Sequence, residues 1–337
     1  MLSLKILQRL VIFATLLGIV VVILGAYTRL DDAGLGCPDW PGCYGKILGV
    51  PNTVEEIANA NANFPAATPV QDSNPWPEMI HRYVAGTLGL LVFIICSFAW
   101  KTKQLPHKNY RKIATITAGL IVMQATLGMW TVTWLLVPWV VMSHLLGGMT
   151  ITTLLWWQTL SGWASSKTSI TNKSIITKIA AAGLILVFIQ ISLGGWTAAN
   201  YAALICPDFP FCRGSLFPKM ELAQGFSLLH PIGINYEGGV LAEKARIAIQ
   251  MVHRYGAFIV AAYLTAACSY ILLKEQNKWL RKAAITVLLV LSIQIILGVL
   301  NIYWLLPISI AVTHNGVGLI LLLSSATLYF FSKKAYD

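Results

Sequence analysis

Four histidines stand near the starts of four apolar segments, and they fall into two matched pairs. His81, in Glu78-Met79-Ile80-His81-Arg82-Tyr83, is echoed by His253 in Gln250-Met251-Val252-His253-Arg254-Tyr255. His144, in Ser143-His144-Leu145-Leu146-Gly147, is echoed by His314 in Thr313-His314-Asn315-Gly316-Val317-Gly318. An ionisable side chain inside a bilayer is costly and marks function by default. Neutral imidazole is the commonest metal ligand among side chains. One histidine on each of two helices of a four-helix unit suits the two axial positions of a haem iron. Zinc or a carboxylate-bridged di-iron centre fits poorly. Those sites want histidines at i,i+4 or several inward acids, and the apolar segments carry almost none.

Positioning these side chains is a task for membrane helices. The chain has 337 residues, of which 57% are hydrophobic and 11% charged, less than half the charge of an ordinary soluble domain. Apolar runs of the roughly 20 residues needed to span a bilayer occur near 8–28, 79–100, 113–134, 138–160, 176–198, 247–273, 282–303 and 308–331. The first follows Lys5 and Arg9 like a signal peptide, but it is too long and lacks a small-residue cleavage site, so it reads as a retained span. Eight spans place both termini on one side. That side holds 16 of the 24 basic residues, and the opposite side holds 11 of the 13 acidic ones, so the termini are expected to be cytoplasmic. Two long loops, about 29–78 and 199–246, are then external. The net charge of +11 follows from this topology and gives no reason to invoke nucleic acid. The expected location is a bacterial inner (cell) membrane, with the lipid bilayer as surrounding.

The second half of the chain repeats the first. Cys37-Pro38-Asp39-Trp40-Pro41-Gly42-Cys43 returns as Cys206-Pro207-Asp208-Phe209-Pro210-Phe211-Cys212. The odd-numbered spans share a Leu-Gly pair near their outer ends: Leu24-Gly25, Leu127-Gly128, Leu193-Gly194 and Leu297-Gly298. Three of the pairs follow a glutamine, Gln124, Gln190 or Gln294. Small residues and amides at such places serve helix packing. The expected fold class is therefore an all-α integral membrane protein, with eight transmembrane helices arranged as two four-helix bundles related by a pseudo-two-fold axis. The halves are 1–165, with a first histidine site, and 170–337, with a second. They join at the basic stretch around Ser165–Lys178.

The halves differ at one place. Glu78 precedes His81 by three residues, on the same face if the helix has begun, whereas Gln250 precedes His253. A carboxylate there either complements the helix dipole or accepts a proton beside a bound group in the first half alone. Arg82 and Arg254 follow their histidines directly. A guanidinium at that level pairs with a haem propionate or reaches back to interfacial water. Cys37/Cys43 and Cys206/Cys212 lie on the oxidising side, as disulfides or as a thiol relay. Cys96 and Cys268 sit within spans and read as apolar packing. His107, in a basic cytoplasmic loop, and His230, before Pro231, carry no assignment.

These residues together resemble the haem A synthase family over the whole chain. The resemblance rests on Gly25-Ala26-Tyr27-Thr28-Arg29-Leu30, Glu78-x-x-His81-Arg82, His144, Gly194-Gly195-Trp196-Thr197-Ala198-Ala199-Asn200-Tyr201, His253-Arg254 and His314. It implies a haem b cofactor between His253 and His314, and the substrate haem O between His81 and His144, with Glu78 catalytic. The implied reaction is stepwise oxidation of a haem methyl to a formyl through hydroxylated intermediates, supplying aa3-type oxidases. It also implies haem O synthase, oxidase-assembly proteins and an electron donor as partners. The chain departs from the family pattern at Asp31-Asp32-Ala33-Gly34-Leu35, where Thr or Ser commonly precedes Gly-Leu. Two other classes stay open. A di-haem b quinol oxidoreductase would use four histidines in equivalent halves. A transporter would also have repeated halves, but it would want broken helices and a charged midplane cluster.

Overall fold

The computed structural model describes residues 2–103, 105, 109–163 and 173–334. His107 and part of the expected join between halves lie outside the described residues. Eight helices are long and apolar enough to cross a membrane, and no strand occurs among the described residues. They are α1 (Leu2–Leu30), α3 (Pro75–Lys101), α4 (Tyr110–Thr133), α5 (Pro138–Trp163), α6 (Lys173–Ala199), α8 (Glu243–Lys274), α9 (Lys278–Tyr303) and α10 (Ile308–Lys334). Two short helices, α2 (Val54–Asn63) and α7 (Leu222–Gly225), belong to the long loops. The chain is thus a multi-pass membrane protein.

α2 lies in what the sequence pattern leaves as loop. It is nucleated by a capping box in which Glu56 N donates to Thr53 Oγ1 at 3.2 Å and Glu56 Oε2 accepts from Thr53 N at 3.4 Å. α3 starts four residues before the expected edge at 79. Pro75 is its first residue, where a proline needs no intrahelical N–H and its fixed φ already suits a helix. His81 therefore lies six residues into its helix, the same distance as His144 in α5 and His314 in α10. α8 begins earlier still, at Glu243, ten residues before His253.

In the first half α1 packs on α3 and α5, and α4 closes the ring against both. In the second half α6 packs on α8 and α10, and α9 closes the ring. Between halves, α1 meets α10, α5 meets α6, and α5 meets α10. Exchanging α1 with α6, α3 with α8, α4 with α9 and α5 with α10 returns the same set of contacts among the eight spans. Helix backbones approach closely where glycine sits under a neighbour. A Cβ at Gly18 would meet Thr152 Oγ1 of α5 at 2.9 Å, and one at Gly316 would meet Ile23 of α1 at 3.3 Å. Threonine hydroxyls inside the spans return to the carbonyl one turn earlier, as Thr15 does to Val11 at 2.8 Å, so they reach the bilayer interior already bonded.

The α4–α5 and α9–α10 connections share an unusual backbone. Leu135 and Leu136 have φ of 55° and 61°, and Leu305 and Leu306 have 56° and 60°. A left-handed leucine costs on the order of 1–2 kcal/mol. Bonds from Leu136 N to Thr131 O (2.8 Å) and from Leu306 N to Asn301 O (2.7 Å) close these turns. They reverse the chain tightly enough to set His144 and His314 beside the helix that precedes each.

Candidate functional site

Each of the four histidines rests on one of the four Leu-Gly glycines. A Cβ added at Gly25 would lie 2.9 Å from His81 Cε1. At Gly128, Gly194 and Gly298 it would lie 3.2 Å from Cε1 of His144, His253 and His314 respectively. The sequence suggested helix packing for these glycines. The structure gives them a narrower task, which is to make room for an imidazole on the adjacent helix. The signal was present in the repeat, but which helix faces which cannot be read from spacing within one helix.

Within the first half the rings of His81 and His144 are 6.4 Å apart, centre to centre, and inclined at 85°. A metal–imidazole bond of about 2 Å, plus roughly 1 Å from nitrogen to ring centre, places two axial imidazoles on one metal about 6 Å apart. The separation therefore fits a single iron between them. In the second half His253 and His314 are seated in the same way, against Gly194 and Gly298. Nδ1 of His81, His144 and His314 is buried without a hydrogen-bond partner. Buried polar atoms are normally satisfied, so three such nitrogens at equivalent places suit a group that takes an imidazole ligand. No cluster of three or more metal-ligating side chains exists among the described residues.

Glutamine flanks three of the rings. Gln190 Nε2 lies 3.0 Å from His253 Nδ1 and donates to His253 O at 2.9 Å. Gln294 Nε2 is 3.3 Å from His314 Nε2. The amide of Gln124 lies against Gly147, one turn beyond His144.

Glu78 is 4% exposed, and its carboxylate is held from both sides. Oε2 accepts from Cys37 N at 2.9 Å, and Oε1 pairs with Arg82 Nη2 at 2.5 Å. α3 has begun by this point, so Glu78 lies on the His81 face, as the sequence anticipated. Its counterpart Gln250 is also buried, with Oε1 unpartnered.

The arginines do more than face outward. Arg82 Nη1 donates to Asp39 O at 2.9 Å and also to Gly42 O. Arg254 donates to Cys206 O at 2.8 Å, to Asp208 O at 2.7 Å and to Phe211 O. Each guanidinium thereby clamps the cystine loop of its own half, and only Nε of Arg254 remains buried and unpaired. Cys37–Cys43 and Cys206–Cys212 are closed disulfides. Tyr44-Gly45 and Arg213-Gly214, all at positive φ, turn the chain after each second cysteine. Asp39 accepts from Tyr44 N at 2.6 Å and Gly45 N at 2.9 Å, and Asp208 from Arg213 N at 2.6 Å and Gly214 N at 2.7 Å. The Gly214 amide, with Arg213 N beside it, holds the Asp208 carboxyl below its usual range. His230 packs between Trp196 and Tyr236, and burial pushes its pKa down. Tyr236 N in turn donates to Leu135 O, so the long loop between α6 and α8 lies on the turn between α4 and α5.

The architecture is that of a multi-pass membrane protein in which four histidines, in two pairs, are each seated against a glycine of a neighbouring helix. A family model described as cytochrome oxidase assembly protein, COX15-CtaA, matches residues 8–326. The chain belongs to that family. It is 42% identical to the heme A synthase of Shewanella oneidensis over 96% of this chain and 95% of the relative. It is 28% identical to the heme A synthase of Caulobacter vibrioides, over 91% of this chain and 90% of the relative. It is 25% identical to that of Bartonella tribocorum, over 95% and 90%.

Proposed function

We propose that this chain is a haem A synthase, oxidising one methyl group of haem O to a formyl group through hydroxylated intermediates. Haem O binds in the first half (1–165) between His81 and His144. Haem b binds in the second (170–337) between His253 and His314, and when bound it supplies electron transfer. The halves are related by an approximate two-fold axis, with both termini cytoplasmic in a bacterial inner membrane. The observation that carries the reading is the buried Glu78 beside His81, at a place where the other half has Gln250.

The chain's own residues divide the work. Four glycines admit four imidazoles, fixing each ring against its neighbouring helix. Glu78 presents a carboxylate that is charge-stabilised by Arg82 and by the Cys37 amide, and it accepts a proton as substrate is oxidised. Gln250 has similar shape and cannot take that proton, so the second half is left with binding alone. Arg82 and Arg254 hold the cystine loops over the sites, and Arg254 keeps Nε for a propionate. Haem O arrives from its synthase and the product leaves to oxidase-assembly proteins.

The test is haem extraction from membranes of a strain lacking its own haem A synthase. This chain should convert haem O to haem A, and Glu78→Gln should retain haem b while haem O or a hydroxylated haem accumulates. Haem A at the unmodified level from Glu78→Gln would overturn the role of Glu78. Two equivalent haem b groups per chain, unaffected by haem O supply, would favour a di-haem electron carrier instead.

A further inference from the structure

The repeat breaks at a second place, one turn from His81. In α4, α6 and α9 the residue three before the Leu-Gly leucine is Gln124, Gln190 or Gln294; in α1 it is Val21. Each glutamine is accommodated by a glycine on the adjacent helix, one turn beyond its histidine. A Cβ at Gly147 or Gly256 would collide with the amide of Gln124 or Gln190, and one at Gly318 would lie 3.4 Å from that of Gln294. On α3 the residue three beyond His81, which matches Gly256 on α8, is Val84. The amide and the space for it are lost together. His81 is left with a valine at each place, while its unpartnered Nδ1 is a feature it shares with His144 and His314.

Side chains that bond to a ligating histidine orient the ring and raise its basicity, and losing one typically costs 10–100-fold in metal affinity. Gln190 and Gln294 stand within 3.0 and 3.3 Å of a nitrogen of their histidine rings. Gln124 carries a buried, unpaired amide nitrogen beside α5, in the half where His144 has an unpaired Nδ1. The first site therefore offers a side-chain amide to one ligand, His144, and none to the other, whereas each ligand of the second has an amide within reach of its ring.

We propose that Val21, with Val84, makes His81 the exchangeable ligand of the substrate site, so that His144 retains the iron while His81 lets substrate enter and product leave. This rests on the reading of His81/His144 as the substrate pair. A resident cofactor needs both axial bonds to last, and a substrate needs one that opens.

The test uses full-length protein in detergent, loaded with haem b as probe, and follows transfer of haem to excess apomyoglobin. Val21→Gln/Val84→Gly restores the amide and its space. It should slow haem loss from the first site 10–100-fold and raise the retained bis-histidine low-spin haem from about one towards about two per chain. The haem at His253/His314 reports folding in the same spectrum. Should that double variant fail to fold, Gln124→Val gives the opposite arm, with faster loss from the first site by a similar factor. Unchanged loss in a folded Val21→Gln/Val84→Gly protein, or in Gln124→Val, overturns the proposal. If His253→Ala protein takes up no low-spin haem at all, the assignment of a haem to His81/His144 fails first, and the two failures are distinguished.

Discussion

Alanine at Gly194 offers a direct way to ask whether the histidines hold a metal. The new Cβ would sit 3.2 Å from His253 Cε1 and 3.8 Å from Nδ1. Carbon atoms rest at about 3.5–4.0 Å, so the ring must retreat by roughly 0.5 Å. Metal–ligand distances tolerate about 0.2 Å, and the displaced bond cannot be remade without moving α8. The expected loss is of the same order as removing an outer-sphere partner, about 10–100-fold in haem b affinity. Valine at the same position adds two methyls towards the ring, and the purified protein should carry no haem b. Gly119 in α4 is the control, because a Cβ there meets nothing within 4 Å. Gly119→Ala should keep full haem content and gain up to about 1 kcal/mol from the stiffer helix. The assay is haem b per polypeptide after purification, together with the position of its low-spin bands. A Gly194→Ala protein with unmodified haem content and bands would refute the idea that this glycine exists to seat an axial ligand.

His253→Ala and His314→Ala should each abolish the haem b spectrum, while His144→Ala should leave it in place and stop haem A formation; difference spectra and haem extraction separate these outcomes. Arg254→Ala strips the donor from three loop carbonyls in a buried setting, and a cost of about 3 kcal/mol is expected in thermal unfolding. Arg213→Ala removes a half-exposed ion pair with Glu243 and should cost less than about 1 kcal/mol; equal effects from the two arginines would contradict the clamp. Replacing Cys206 and Cys212 together by serine opens a seven-residue ring and should cost about 2 kcal/mol, read from the same melting curves.

The spans and the histidine pairs could be read from the chain because both are local. A run of apolar residues suffices for a membrane helix, and a duplicated motif announces itself by its spacing. The relation between Gly25 and His81 is of another kind. They are 56 positions apart and meet only because α1 packs on α3, which no periodicity within either helix encodes. The same applies to Arg82 and Arg254. Their charge and level suggested a propionate or interfacial water, and the folded loops also bring backbone carbonyls to them, because a cystine ring folded back over the helix end has acceptors to satisfy. α2 was missed for a different reason: it is polar, and its signal is the Thr53-x-x-Glu56 cap rather than any apolar face.

The two halves also touch where α1 and α6 run into their long loops. Arg29 Nη2 donates to Ala198 O at 2.8 Å, and Tyr201 OH donates to Asp32 Oδ1 at 3.1 Å. The Arg29 guanidinium also stacks 4.0 Å over the Tyr201 ring. With Gly25 matched to Gly194, residue 29 corresponds to 198 and residue 32 to 201. Each pair is a position meeting its own copy. In a dimer of two identical chains, a position on the symmetry axis can pair only like with like. Arginine would then face arginine, and aspartate would face aspartate. A single polypeptide is free of that restriction, and here the twin positions are arginine with alanine and aspartate with tyrosine. The seam is complementary because its two sides differ, and one chain can hold such a difference where a symmetric pair could not, as it also does at Glu78 and Gln250.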